Sequence, residues 1–180
     1  RVELLQPYKQ VIKDDWMKLR VPYVKTDDDA VYIHCRLTDY LYIEPGKPPD
    51  PKCNGCAMTI DEVAACLKHF PDAKRIVVCS DDSFHPFVQF ELPKLGLPVE
   101  ATYANWDEDF LTLASAKNVL ISQSTFSWFA CWIGRAERVV CPMFPGTFWW
   151  YGLGLTGPTE PDYPNLLPDD ESERWIWVRS

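Results

Sequence analysis

The sequence predicts an α/β fold, a Rossmann-like parallel sheet flanked by helices. Short apolar runs of four to six residues alternate with helical stretches of about ten, the pattern of repeated βαβ units. Hydrophobic residues make up 47% of the 180, with eight Trp, eight Tyr and nine Phe, enough to give one domain a sizeable core. The expected division is a helix and linker over 1–29, the Rossmann-like core over 30–142 and an aromatic, Pro-rich tail over 143–180.

Tyr8, Ile12, Trp16 and Leu19 recur at helical spacing and predict a helix over Pro7–Leu19. Ala30–Cys35 (AVYIHC) reads as the first buried strand. Glu44–Cys56 is a loop rich in Pro and Gly. A helix follows over Ile60–Phe70, opened by the capping-box pair Thr59 and Glu62. Arg75–Cys79 is the second strand. Pro86 suits the first turn of a helix reaching Leu95, which Pro93 shortens. Val99–Tyr103 is the third strand, and Asp107–Ala116 a helix whose acidic first turn complements the helix dipole. Val119–Ser122, the helix Phe126–Gly134 and the strand Arg138–Cys141 complete the alternation. The pattern stops at Pro142, and the stretch to Ser172 is too long for an unstructured connection, so a packed or functional loop is expected there.

The formal net charge of −8 disfavours nucleic-acid binding, which selects a Lys- and Arg-rich face. No apolar run reaches membrane-spanning length, so no membrane contact is expected of this segment. The chain begins at Arg1 and reads as part of a longer protein. Cys35, Cys79 and Cys141, three of the seven Cys, lie in apolar runs and read as small buried hydrophobes.

In open parallel sheets ligands bind beyond the carboxyl ends of the strands. That rule selects 34–40, 80–83, 122–127 and the chain from 142 onward. Arg36 can present a bidentate fork to a phosphate, or pair with Asp39 in an ordinary salt bridge. Ser124, Thr125 and Ser127 open a helix whose free amides would attract an anion; plain N-capping explains them equally. Asp109 could accept the adjacent donors of a guanine edge, or only complement its helix dipole. Asp81 and Asp82 read as metal ligands or as turn and cap residues. Cys53 and Cys56 form half a zinc site with no second pair, so no metal is expected. His69 and His85 read as surface or cap residues. Gly152, Gly154 and Gly157 follow no strand and make no dinucleotide fingerprint.

Three of these segments resemble the α-1,2-fucosyltransferases. Val31–Tyr40 (VYIHCRLTDY) is similar to their His-x-Arg-Arg-x-Asp-Tyr motif, Cys79–Asp82 (CSDD) to their Phe-Ser-Asp-Asp, and Leu120–Trp132 (LISQSTFSWFACW) to their Ile-Ser-Asn-Ser-Thr-Phe-Ser-Trp-Trp. The resemblance spans residues 31–142. It implies the second, donor-binding domain of a two-domain GT-B-type glycosyltransferase, inverting and metal-independent, taking GDP-fucose as substrate without a further cofactor. A glycan acceptor and an N-terminal domain of the same protein would be its partners. Arg36 would hold the diphosphate, His34 would lie by the nucleoside, Asp109 would read guanine, and Ser124, Thr125 and Ser127 would line phosphate and sugar. Asp39 is the general-base candidate. The implied compartment is the Golgi lumen for a eukaryotic transferase and the cytoplasm otherwise. Leu37 stands where the family has a second Arg, which leaves open a replacement cation, another donor such as GDP-rhamnose, or a weakened site. A carbohydrate- or nucleotide-binding module without turnover is the reading from a different class; the aromatics Phe148, Trp149, Trp150 and Tyr151 point that way.

Overall fold

A computed structural model describes residues 6–19, 23–38, 57–122, 124–143 and 172–179. Strands β1 (Ala30–Cys35), β2 (Arg75–Ser80), β3 (Val99–Ala101), β4 (Asn118–Leu120), β5 (Arg138–Met143) and β6 (Trp175–Arg179) form one sheet in the order β3-β2-β1-β4-β5-β6. Every pairing is parallel. The helices are α1 (Lys9–Leu19), α2 (Ile60–Leu67), α3 (Trp106–Ser115) and α4 (Thr125–Ile133). The fold is Rossmann-like α/β, with the strand order of a doubly wound dinucleotide-binding sheet.

Period-two alternation divides the core between the two faces of the sheet. Val31, Ile33, Cys35, Ile76 and Val78 pack with Val63 and Cys66 of α2 and with Val88 and Leu92. Tyr32, Val77, Cys79 and Val119 pack on the opposite face with Phe110 and Leu113 of α3 and with Ala130 and Trp132 of α4. Five cysteines, Cys35, Cys66, Cys79, Cys131 and Cys141, are buried free thiols. Burial pushes Cys35, Cys66 and Cys131 up to about 12, so they behave as apolar side chains.

The expected capping box is formed. The Thr59 hydroxyl accepts from the Glu62 amide (3.3 Å), and the Glu62 carboxylate accepts from the Thr59 amide (2.8 Å). Three expectations change. The helix over 86–95 is instead a π-helical turn, Phe87–Glu91, followed by a 3-10 turn, Leu92–Leu95. Pro93 has no amide hydrogen to donate and crowds the carbonyl four residues back. Gly96, at φ 82°, ends the segment. The third strand stops at Ala101; the Thr102 amide still donates to Val78 O (3.0 Å), and its hydroxyl donates to Asp109 (2.6 Å). The tail contributes a sixth strand, β6, that the pattern did not reveal. It is held by Trp175 in the core and by Arg174, which donates to the carbonyls of Cys131 (3.1 Å) and Ala136 (3.0 Å) near the end of α4. Cys53, Cys56, Asp39, the 44–56 loop and the segment carrying Phe148–Tyr151, Gly152, Gly154 and Gly157 lie outside the described residues.

Gly134, the residue after α4, lies against the end of α3. A Cβ there would lie 2.6 Å from the carbonyl oxygens of Ala114 and Ala130. Those neighbours are backbone and cannot rotate away. Gly134→Ala is expected to destabilise the fold by about 1–3 kcal/mol, the usual range for overpacking, read as a lower urea midpoint with an unchanged slope.

Candidate functional site

The winding of the sheet reverses between β1 and β4, and the helices that follow them pack on opposite faces, which makes a crevice at their carboxyl ends. Two side chains bridge it. His34 Nδ1 and Ser122 Oγ share a hydrogen bond of 2.7 Å, and the His34 ring lies against Phe126 of α4, with centroids 5.3 Å apart. His34 and Arg36 fall two apart on the extended chain and so share a face, while Leu37 takes the other parity and enters the core against α2.

A cleft of about 280 Å³ opens here, lined by His34, Arg36, Ser80, Asp81, Ala104, Trp106, Asp109 and Phe126. It runs from the β1/β4 crevice, across the end of β2, to the start of α3. A larger depression of about 500 Å³ lies at the amino ends of the strands. Its charges pair with one another, Lys117 with Glu137 (3.2 Å) and Lys74 with Asp29 (3.1 Å), and it is at the wrong end of the sheet for a ligand.

Asp81 organises the rim. Its carboxylate accepts from the Leu37 amide (2.7 Å), the Thr38 amide (3.3 Å) and the Thr38 hydroxyl (2.5 Å), and lies 3.8 Å from Arg36 Nε. Arg36, half-exposed, therefore has Asp81 as an ionic neighbour and is held at the cleft edge. Asp82 accepts from the Phe84 amide (3.1 Å) in a turn, the structural reading of that pair. His85 caps the π-helical turn, its Nδ1 accepting from the Phe87 amide (3.1 Å). Among the described residues no three His, Cys, Asp or Glu gather as metal ligands.

Asp109 sits on the cleft floor, 5% exposed. It accepts from the Thr102 hydroxyl and also from the Cys79 thiol and the Ser80 amide. Burial nevertheless raises its carboxyl to about 6. These bonds leave it room for about one more donor, against the two a guanine edge presents. At α4, Ser124 is the N-cap by position but its hydroxyl makes no capping bond. The first intrahelical bond is Trp128 N to Ser124 O (3.0 Å), so the amides of residues 125–127 precede the ladder. Thr125 is exposed. Ser127 is fully buried, its hydroxyl donating to the carbonyls of Ser124 (3.2 Å) and Ser122 (3.4 Å), which fixes the turn. Of this helix start only Phe126 lines the cleft.

The structure thus brings His34, Arg36 and Asp109 to one cleft and sets Ser124, Thr125 and Ser127 beside it. Sequence reasoning missed Ser122 as the partner of His34, and Trp106 and Phe126 as cleft walls. The available signal was position alone: each follows a strand or opens a helix at the ligand-binding end of the sheet.

No protein-family model matches the chain, and no curated protein matches it. Among solved structures it is similar to the beta Kdo 2,7 transferase KpsC of Thermosulfurimonas dismutans, at 18% identity and a TM-score of 0.44, over 88% of this chain and 47% of that one. The chain spans about half the length of that protein. At this level the likeness carries no argument about activity.

Burial sets two opposed pH dependences in the cleft. It lowers His34 from 6.5 to about 4 and raises Asp109 from 3.8 to about 6. The stability contributed by neutral His34 is fully present above 6.5 and is lost as pH falls through about 4. That of protonated Asp109 is fully present below 3.8 and is lost as pH rises through about 6. Asp109→Asn should therefore make stability climb more steeply from about pH 4 to 6.5, and His34→Asn should make it decline over the same range. Denaturant midpoints measured across that range check both signs.

Proposed function

We propose that this chain is the donor-binding domain of a glycosyltransferase, moving a fucosyl group from GDP-fucose to a glycan hydroxyl with inversion. The observation that supports this reading best is the position of Arg36, at the topological switch point and lining one cleft with His34 and Phe126, on residues that also carry the resemblance to the α-1,2-fucosyltransferases.

In the proposed reaction the acceptor oxygen attacks the anomeric carbon as its bond to the diphosphate oxygen breaks. The electron pair leaves with GDP, and the acceptor proton passes to a base. Arg36 and the α4 amides face the charge that grows on the leaving diphosphate, the kind of stabilisation that counts most in such transfers. His34, kept neutral by burial, adds a hydrogen-bonding ring without a second positive charge. Ser124 and Thr125 lie beside the phosphates. Asp39 is a candidate for that base, the alternative being a group of the second domain. A second domain of the same protein would bring the acceptor across the cleft, as ligand sites often form between domains.

A second reading rests on charge. Among the described residues lining the cleft, Arg36 is the one cation, and Asp81 and Asp109 face the same space. A lone Arg beside two carboxylates attracts a diphosphate less strongly than the paired Arg of the resembled motif, which favours a binding module without turnover. An assay with GDP-fucose and a galactoside acceptor separates the two: transfer supports the enzyme, and GDP binding without transfer, in a protein that includes the second domain, supports the module.

Arg36→Ala should weaken GDP binding by about 1.5–3 kcal/mol, the value of a charge-assisted hydrogen bond, with the circular dichroism spectrum retained. Unchanged affinity in a calorimetric titration removes Arg36 from the diphosphate site. Transfer is further expected to persist in excess EDTA, and its loss there with rescue by magnesium or manganese would overturn the metal-independent mechanism.

A further inference from the structure

We propose that Trp106 is the stacking surface on which the nucleobase of the donor rests, an assignment that depends on the donor-site reading above. Trp106 is the first residue of α3 and lines the far end of the cleft, yet 69% of it is exposed. A ring of that size held in water at a cleft wall contributes little to the fold, and is suited to covering by a ligand.

The polarity of the cleft fixes which end of the ligand lies there. Arg36 follows β1 and is the cation among the described lining residues, 3.8 Å from Asp81, whereas Trp106 opens α3 with Asp109 one turn further along that helix. A diphosphate is drawn to the guanidinium, so the uncharged end of the donor points to Trp106. Strands β1 and β3 are separated by two inter-strand spacings, about 10 Å, comparable to the reach from a diphosphate across a ribose to its base. Base amines suit the remaining acceptor capacity of Asp109, while the ring face meets the indole.

The chain leading into α3 is shaped unusually. Tyr103 has φ 50°, a left-handed conformation that bulky side chains rarely adopt. It is retained through a hydrogen bond from Gln89 Nε2 to its hydroxyl (3.2 Å) and through packing on Phe84, centroids 5.0 Å apart. Both rings stay exposed, 57% for Tyr103 and 77% for Phe84. This left-handed residue sets the course of Ala104 and Asn105 into Trp106.

The test titrates GDP and inorganic pyrophosphate against the wild type, Trp106→Ala, Trp106→Phe and Arg36→Ala by calorimetry, with circular dichroism confirming each fold. Trp106→Ala should lose roughly 5- to 100-fold in GDP affinity, the range for one base on one aromatic ring, and keep its affinity for pyrophosphate. Trp106→Phe should retain most of the GDP affinity, and Arg36→Ala should weaken both ligands. Equal GDP affinity in the wild type and Trp106→Ala would overturn the assignment while leaving the diphosphate site intact. A wild type that binds neither GDP nor pyrophosphate would remove the donor site and this assignment together.

Discussion

A parallel sheet buried on both faces needs helices on both, and that requirement shapes everything at the ligand-binding end of this protein. The chain lays down β1, β2 and β3 in one direction, then must return past β1 to continue on the other side with β4, β5 and β6. The crossovers that follow β1 and β4 go to opposite faces of the sheet, and among the described residues this leaves a gap above their carboxyl ends. Into that gap the sequence places His34 and Ser122, whose 2.7 Å bond joins the two strands beyond their last ladder pairing, Ile33 with Leu120. Burial keeps the imidazole neutral, so the bond is made without placing a charge at this depth.

The rim is built by one carboxylate doing two jobs. Asp81 gathers the amides of Leu37 and Thr38, satisfying the backbone where β1 ends, and sits within ion-pair distance of Arg36. The chain after β1 and the chain after β2 are thus tied at one point, which holds the guanidinium at the cleft. The same carboxylate partly neutralises it. In the proposed donor site a ligand phosphate would compete with Asp81 for Arg36, while the bonds from the two amides keep Asp81 in place.

The alternation of strands and helices was legible because it rests on local pattern: Ala30–Ile33 and Ile76–Cys79 are apolar runs, and Thr59 with Glu62 is a local cap. Strand order was not, since nothing local distinguishes β4 beside β1 from β4 beside β3. β6 escaped because Trp-Ile-Trp-Val-Arg follows a long Pro-rich stretch, although its β-branched and aromatic content is a strand signal. In the site, residues directly following a strand were legible from the carboxyl-end rule, which reached His34, Arg36 and the start of α4. The bonds between them were not. Asp109 read as a helix-dipole residue or a base reader, but its burial and its bonds to Thr102, Cys79 and Ser80 are long-range facts. Asp81 read as half of an acidic pair, and only the tertiary structure shows that it spans 44 residues to reach Leu37.

Leu37 shows why one departure from the resembled motif has consequences beyond its own side chain. Residues 33, 35 and 37 share one parity of the extended chain, and all three side chains pack in the cluster under α2 with Met58 and Val63. At 3% exposure Leu37 has no path to the cleft, and an Arg there would either bury a charge or pull the chain after β1 out of its course, breaking the amide bond to Asp81. The apolar side chain, the Asp81 clamp and the single guanidinium of the cleft are therefore one arrangement. If the cleft is the donor site proposed above, less positive charge faces the diphosphate, and more of the affinity would come from contacts that carry no charge, the aromatic wall at the start of α3 and the hydrogen bonds of His34. Selectivity would then rest less on the number of phosphates than on the identity of the ring at the other end of the cleft.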